Sequence, residues 1–234
     1  MIWCEPPSTL PPLKSHVVHI WRANLDHYSK PSVLSPDETA RAERFKFDVH
    51  RNRFIAARTI LRRLLSQYLN HAPDSLQFEY TSYGKPYLPH SSIFFNLSHA
   101  NEWALYAISL EEKTGVDIEH VKPDRDMENI AARFFSNTEN QWLKKIPEDK
   151  KQEAFFRIWT CKEAFIKAIG EGLSFPLKDF DVAIVDHSAR IVSINQNEKE
   201  AALWSCVALD PVENYTAALA IRSPVEQLVL WETA

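Results

Sequence analysis

The chain has 234 residues, enough for one large domain or two small ones with a buried core. Apolar residues make up 45% and charged residues 25%, which excludes a disordered chain. A formal net charge of −4 argues against a surface given over to nucleic acid, and no run approaches the roughly 18 apolar residues of a membrane span.

The opening MIWCEPPSTLPPL has no basic stretch and no long apolar run, and its Pro-rich residues 6–12 read as an extended segment. Residues 17–22 (VVHIWR) predict a strand. Ser35, Pro36 and Glu38 form a helix start: a capping serine, a proline at the first helical position and a glutamate three residues after the serine. A second helix is expected from about Arg51 to Leu69, with Phe54, Ala57, Leu61, Leu64, Leu65 and Tyr68 as its apolar stripe. This region is basic: Arg41, Arg44, Lys46, Arg51, Arg53, Arg58, Arg62 and Arg63 stand against Glu43 and Asp48. Such an excess suits either a solvated helix face or a polyanionic ligand.

Strands are expected over 76–80, 93–97, 103–109 and 115–119, with the turn SYGKPYLP between the first two. Helices follow over 127–135 and 138–145, where Ser136 and Glu139 have capping-box spacing, and over 150–169, stopped by Gly170. The remainder reads as strands at 180–185, 190–194, 202–209, 215–221 and 228–231. Helices followed by strands occur twice, which predicts an α+β protein of two similar halves, 1–112 and 113–234. Cys4, Cys161 and Cys206 are odd in number, far apart and without CxxC spacing. Neither a disulfide framework nor a zinc site is indicated, and a reducing, cytoplasmic setting is the expectation.

The chain has four glycines where ordinary usage of about 7% would give roughly 16. Gly84, Gly115, Gly170 and Gly172 all lie in or beside charged motifs, as expected if each serves backbone geometry or close approach. Asp117 and Glu119, two apart in GVDIE, project from one face of a strand. Paired carboxylates repel unless a cation lies between them, and oxygen ligands suit a hard ion such as magnesium; a solvated strand face is the plainer alternative. On the 150–169 helix the apolar arc holds Phe155, Ile158, Trp159, Phe165, Ile166 and Ile169. Lys162 falls inside that arc, Glu163 at its edge and Lys167 one turn further. Either Lys162 snorkels to water, or the helix borders a site where Lys162 and Lys167 meet phosphate. Asn96 and Ser98 share a strand face beside His99, and Gly84-Lys85-Pro86 is a tight turn carrying a cation. Arg53 near a helix start is either an ordinary surface arginine or a group that suits an anion. The absence of GxxxxGK[ST], GxGxxG and GxSxG disfavours nucleotide-loop, dinucleotide and acyl-enzyme chemistry.

In family order, YGKP (83–86), FNLSHA (95–100), GVDIE (115–119), RFF (133–135) and WTCKEAFIKAIGEGLSFPL (159–177) resemble the surfactin-synthetase-activating (Sfp) type of 4′-phosphopantetheinyl transferase. The resemblance spans about 35–182. It implies a pseudo-dimeric α+β fold, with coenzyme A in the cleft between halves and a carrier-protein serine as acceptor. It implies Asp117, Glu119 and Glu163 as ligands of Mg²⁺, with Mn²⁺ as a substitute. Glu163, Lys167 and Asp117 are then the catalytic group, and Lys162 and Lys167 the phosphate-side lysines. Arg53 and His99 match contacts to the adenosine 3′-phosphate, and Gly84, Lys85, Pro86 and Ser98 match the nucleotide cradle. One departure is Glu38 with Arg41, where some relatives carry two lysines. Met127, Ile130, Arg133 and Phe134, in the stretch 121–135, are either contacts for an acidic carrier or a helix packed on its own core. A monomer without nucleic-acid or membrane partners is expected. Rival readings are another magnesium-dependent phosphohydrolase and a non-catalytic coenzyme A or carrier-binding protein.

Overall fold

A computed structural model of the chain describes residues 1–122, 126–185 and 188–233. The elements run β1 (Val17–Asn24), α1 (Pro36–Ala42), α2 (Asp48–Leu69), β2 (Glu79–Tyr80), β3 (Pro86–Tyr87), β4 (Phe94–Ala100), β5 (Trp103–Ser109) and β6 (Thr114–His120). Then follow α3 (Met127–Phe134), α4 (Asn137–Leu143), α5 (Glu148–Ile169), β7 (Phe180–Val185), β8 (Ser188–Ile194), α6 (Glu198–Ala201), β9 (Ser205–Leu209), β10 (Tyr215–Ile221) and β11 (Gln227–Thr233).

Two sheets organise the chain, in the orders β11-β1-β5-β4 and β6-β10-β9. β1 pairs with β11 in parallel and with β5 antiparallel; the second sheet is antiparallel throughout. The last strand, β11, thus returns to the sheet built by the first residues, where Trp231 packs on Trp21 at 4.6 Å. Strand alternation sorts side chains into separate cores. Trp21, Tyr106 and Phe95 join Ile60, Leu61 and Leu64 of α2 on one face of the first sheet. Val18, Ile20, Leu105 and Ala107 on its other face meet Val116, Ile118, Leu209 and Leu219 of the second sheet. The far face of the second sheet packs on α5 through Ala218 and Ala220. The layers are therefore helix, sheet, sheet, helix. Covering on both faces explains why β10 is buried along its whole length, with Thr216 the polar exception in a mostly apolar strand. This is the mixed α+β class with two halves.

Most elements fall where the sequence places them, and both capping boxes form. Ser35 N–H donates to Glu38 Oε2 at 3.0 Å, and Ser136 N–H donates to Glu139 Oε2 at 2.8 Å. The strand expected over 76–80 shrinks to its last two residues. Leu76 turns into the first core, and the Phe78 ring lies under the guanidinium groups of Arg58 and Arg62, at 4.7 and 4.9 Å. The strand expected from 202 begins at Ser205, because residues 198–201 close a helical turn first.

Three polar features of the core correct sequence expectations. Lys162 neither snorkels nor borders a site. It is fully buried, 2.9 Å from Glu139 Oε1, and donates to the carbonyls of Leu177 and Phe180, each at 2.7 Å. Burial pushes its ammonium down and the Glu139 carboxyl up, and each partner offsets part of the other's shift. Glu38 is likewise buried, held by Arg58 Nε at 2.5 Å and Arg62 Nε at 2.6 Å, so part of the basic excess is internal. Cys161 and Cys206, 45 residues apart, are joined as a disulfide between α5 and β9, with Cα atoms 6.5 Å apart. Their pairing depends on how α5 lies on the second sheet, which sequence spacing does not encode.

Candidate active site

β6 runs along α5 with a matched rise. Two strand residues advance about 6.6 Å and four helix residues about 6 Å, so successive outward positions on β6 meet successive turns of α5. Gly115, Asp117 and Glu119 are those positions. At Gly115 the backbones touch: a Cβ there would lie 2.1 Å from Ala164 O and 2.4 Å from Ala168 N. At Asp117, Lys167 Nζ reaches Oδ1 at 2.5 Å. At Glu119, Oε1 accepts the Trp159 indole N–H at 3.0 Å. Glu163 lies on α5 between these turns, its carboxyl pushed up to about 7 by burial first, then by Asp117 and Glu119, with Lys167 pulling the other way.

β4, the edge of the first sheet, closes the other side. Asn96 Oδ1 accepts the Val116 N–H at 2.9 Å, so a side chain stitches the two sheets together. Two residues on, Ser98 Oγ donates to Asp117 Oδ1 at 3.0 Å and accepts from Lys167 Nζ at 2.7 Å. Ser98, His99, Asp117, Glu119, Glu163 and Lys167 line one pocket of about 510 Å³. Burial lowers the His99 imidazole below its usual range, with Lys167, Arg53 and His50 acting in the same direction.

Asp117 is 4% exposed, and its Oδ2 is buried without a hydrogen-bond partner among the described residues. A buried orphan carboxylate oxygen, facing further carboxylates, is the kind of group that accepts a cation. Among the described residues no three His, Cys, Asp or Glu side chains converge at ligating distance as they stand. Lys167 occupies the cationic role beside Asp117 in this arrangement.

The other expected site residues lie around this pocket or away from it. Arg53 holds Asp26 through two hydrogen bonds, at 2.8 and 2.6 Å, and stands 3.6 Å from Glu102. Lys85 and Pro86 line a neighbouring pocket of about 380 Å³ against the end of α5. The Lys85 ammonium donates there to Thr114 O and Ala168 O, and burial pushes it down to about 8, with Glu112 opposing. Lys162 lies in the opposite core, bound to Glu139 as described, and cannot reach phosphate. Met127, Ile130 and Phe134 of α3 are half-buried against the core around α5, while Arg133 is exposed over the Phe134 ring at 5.1 Å. Phe134 in turn meets Trp159, with ring centroids 5.7 Å apart. Positions 123–125 of the expected carrier stretch lie outside the described residues. Trp159, which belongs to the apolar arc by helix period, also lines the acidic pocket, as do Asn101, His120 and Lys122, which no motif in the sequence marks. For Trp159 a signal existed: it lies four residues, one turn, before Glu163.

Residues 113–220 match the family model of the 4′-phosphopantetheinyl transferase superfamily, and residues 19–111 match that of the 4′-phosphopantetheinyl transferase N-terminal region. The chain is 39% identical over 238 residues to 4′-phosphopantetheinyl transferase HetI of Nostoc sp., covering 98% of this chain and 97% of that protein. It is 33% identical to the transferase psf-1 of Bacillus pumilus over 83% of this chain and 81% of that one. Against 4′-phosphopantetheinyl transferase Sfp of Bacillus subtilis, the identity is 35% over 65% of this chain and 67% of that protein. Both halves are matched in order and one relative aligns over nearly the whole length, so the chain belongs to the 4′-phosphopantetheinyl transferase superfamily.

Proposed function

We propose that the protein transfers the 4′-phosphopantetheine arm of coenzyme A to a serine of an acyl or peptidyl carrier protein, releasing adenosine 3′,5′-bisphosphate. Mg²⁺, or Mn²⁺ in its place, is the cofactor, held by Asp117, Glu119 and Glu163. The observation that carries this reading is the buried, unpartnered Asp117 Oδ2 in a pocket shared with two further carboxylates and a lysine. An oxygen-only donor set suits a hard ion that keeps positions for phosphate oxygens. When bound, that ion neutralises charge on the diphosphate and on the leaving group.

The chain's own residues do the rest. The carrier serine Oγ forms a bond to the β-phosphorus of coenzyme A, and the bond from that phosphorus to the bridging oxygen breaks. Glu163 accepts the serine proton, directly or through water. Lys167 exchanges Asp117 Oδ1 for the transferring phosphoryl oxygens, replacing one anion by another. Ser98 then keeps its hydrogen bond to Asp117 and orients it. His99 and Arg53 are assigned to the 3′-phosphate, for which Arg53 turns from Asp26 and Glu102. Glu38 is committed to Arg58 and Arg62 and takes no part. The two halves, 1–112 and 113–234, supply nucleotide-side and metal-side groups respectively, and α3 offers Arg133 to an acidic carrier. Among the described residues no helix is long and apolar enough to cross a membrane.

The test is to incubate the protein with coenzyme A, Mg²⁺ and apo carrier protein and weigh the carrier. A gain of one phosphopantetheine arm is expected. Consumption of coenzyme A without that gain would indicate a phosphohydrolase, and binding without turnover a non-catalytic protein; either result overturns the reading.

A further inference from the structure

We infer that the Lys85 side chain is a positioning group, a clamp that fixes the separation of β6 and α5. The inference rests on the function proposed above. Lys85 lies in the turn between β2 and β3, yet its ammonium reaches the second half. It donates to Thr114 O at 3.0 Å and to Ala168 O at 3.1 Å. Thr114 is the first residue of β6, three before Asp117, and Ala168 follows Lys167 in the last turn of α5. Carbonyls of a last helical turn have no donor within the helix, and the negative end of the helix dipole favours a cation. One lysine therefore binds both elements that carry the proposed metal ligands.

The place of this bond matters. It spans the seam where Gly115 meets Ala164 and Ala168 backbone to backbone. Whatever holds that seam shut sets how far Asp117 and Glu119 stand from Glu163 and Lys167. The lysine is itself held at its base: its N–H donates to Thr81 Oγ1 at 3.1 Å, and its carbonyl accepts from Thr81 N–H at 2.9 Å. Its stem passes Gly170, where a Cβ would come 3.3 Å from Lys85 Cδ. Its pocket shares no lining residue with the acidic pocket, so its influence on the chemistry runs through the backbone.

The test compares wild type with Lys85→Met and Lys85→Gln, reading kcat, KM for coenzyme A, thermal midpoint, and Mn²⁺ affinity of the coenzyme A-free protein by electron paramagnetic resonance. For Lys85→Met we expect kcat to fall about tenfold or more and Mn²⁺ to bind about threefold more weakly, with KM for coenzyme A within about twofold. Lys85→Gln, which keeps an N–H donor, recovers part of both losses. A raised KM with kcat and Mn²⁺ affinity unchanged makes Lys85 a nucleotide contact and overturns the clamp. A lowered thermal midpoint with all three quantities unchanged makes it a plain structural lysine and also overturns it. Should Lys85→Met fail to fold, Lys85→Gln is read by the same criteria. If the wild type itself modifies no carrier, the proposed function fails, while the Mn²⁺ comparison still decides the clamp.

Discussion

Gly115→Ala tests the packing that brings the carboxylates together. The new methyl carbon would lie 2.1 Å from Ala164 O, 2.4 Å from Ala168 N and 2.9 Å from Ala168 Cα, all backbone atoms that no rotamer change can move aside. A normal contact is about 3.5 Å, so α5 must retreat by roughly 1.4 Å at this point. Overpacking of this kind costs about 1–3 kcal/mol, a fall of about 2–12 °C in thermal midpoint for a chain of this size. The larger effect is on rate. A misplacement near 1 Å at reacting groups costs about 100-fold, because alignment supplies much of the acceleration. Circular dichroism melts and single-turnover transfer to a carrier, followed by mass, measure the two effects separately. A folded variant with wild-type turnover and an unchanged midpoint would refute the argument that the β6–α5 contact sets the site.

Asp117→Ala and Glu163→Gln should each lower transfer about 1,000-fold with the melt retained, since each removes charge from the centre of the pocket; wild-type rates in the mass assay would end those assignments. Lys162→Ala should cost about 3–5 kcal/mol in urea denaturation by leaving Glu139 buried and unpaired, and the pair Lys162→Met with Glu139→Gln, which removes both charges and keeps an acceptor for the backbone N–H groups of Ser136 and Val182, should recover part of it. A single-variant loss confined to catalysis would instead put Lys162 at the site. Arg133→Glu should raise the KM for an acidic carrier and leave that for coenzyme A alone; an unchanged carrier KM removes α3 from the docking surface. Burial alone would raise the Glu38 carboxyl, but Arg58, Ser35 N–H and Arg62 outweigh it and hold it below 4.5. Its contribution to stability is therefore full above pH 4.5 and is lost as pH falls through the lower, folded value. Urea midpoints of wild type and Glu38→Gln should differ by a constant amount above that pH and converge below it. Parallel curves throughout would contradict the linkage.

Much of this was legible in the sequence because it is local. The strands at 103–109, 180–185 and 215–221 begin and end where predicted, since alternation and turn residues bound them. Asp117 and Glu119 shared a face by strand period, and Gly170 stopped α5 in a left-handed conformation at φ 75°. What could not be read depends on partners distant in the chain. Lys162 looked like a site residue because Glu139 stands on another helix, and its capping-box role hid its availability as a counter-ion. Glu38 stands out in the sequence only as a departure from the lysines of some relatives, because Arg58 and Arg62 meet it only once α1 lies across α2. The Cys161–Cys206 bond and the return of β11 to β1 are equally products of tertiary arrangement.

That parallel pairing has a bearing on biosynthesis. The first sheet gains its outer strand only when residues 227–233 have left the ribosomal tunnel, so α2 and its core must wait in an incomplete state while the second half is translated. Until then β1 presents an open edge to the cell, a template for any stray strand. Residues 227–233 thus complete a sheet begun by residues 17–24, a bond between the two halves made only late in synthesis.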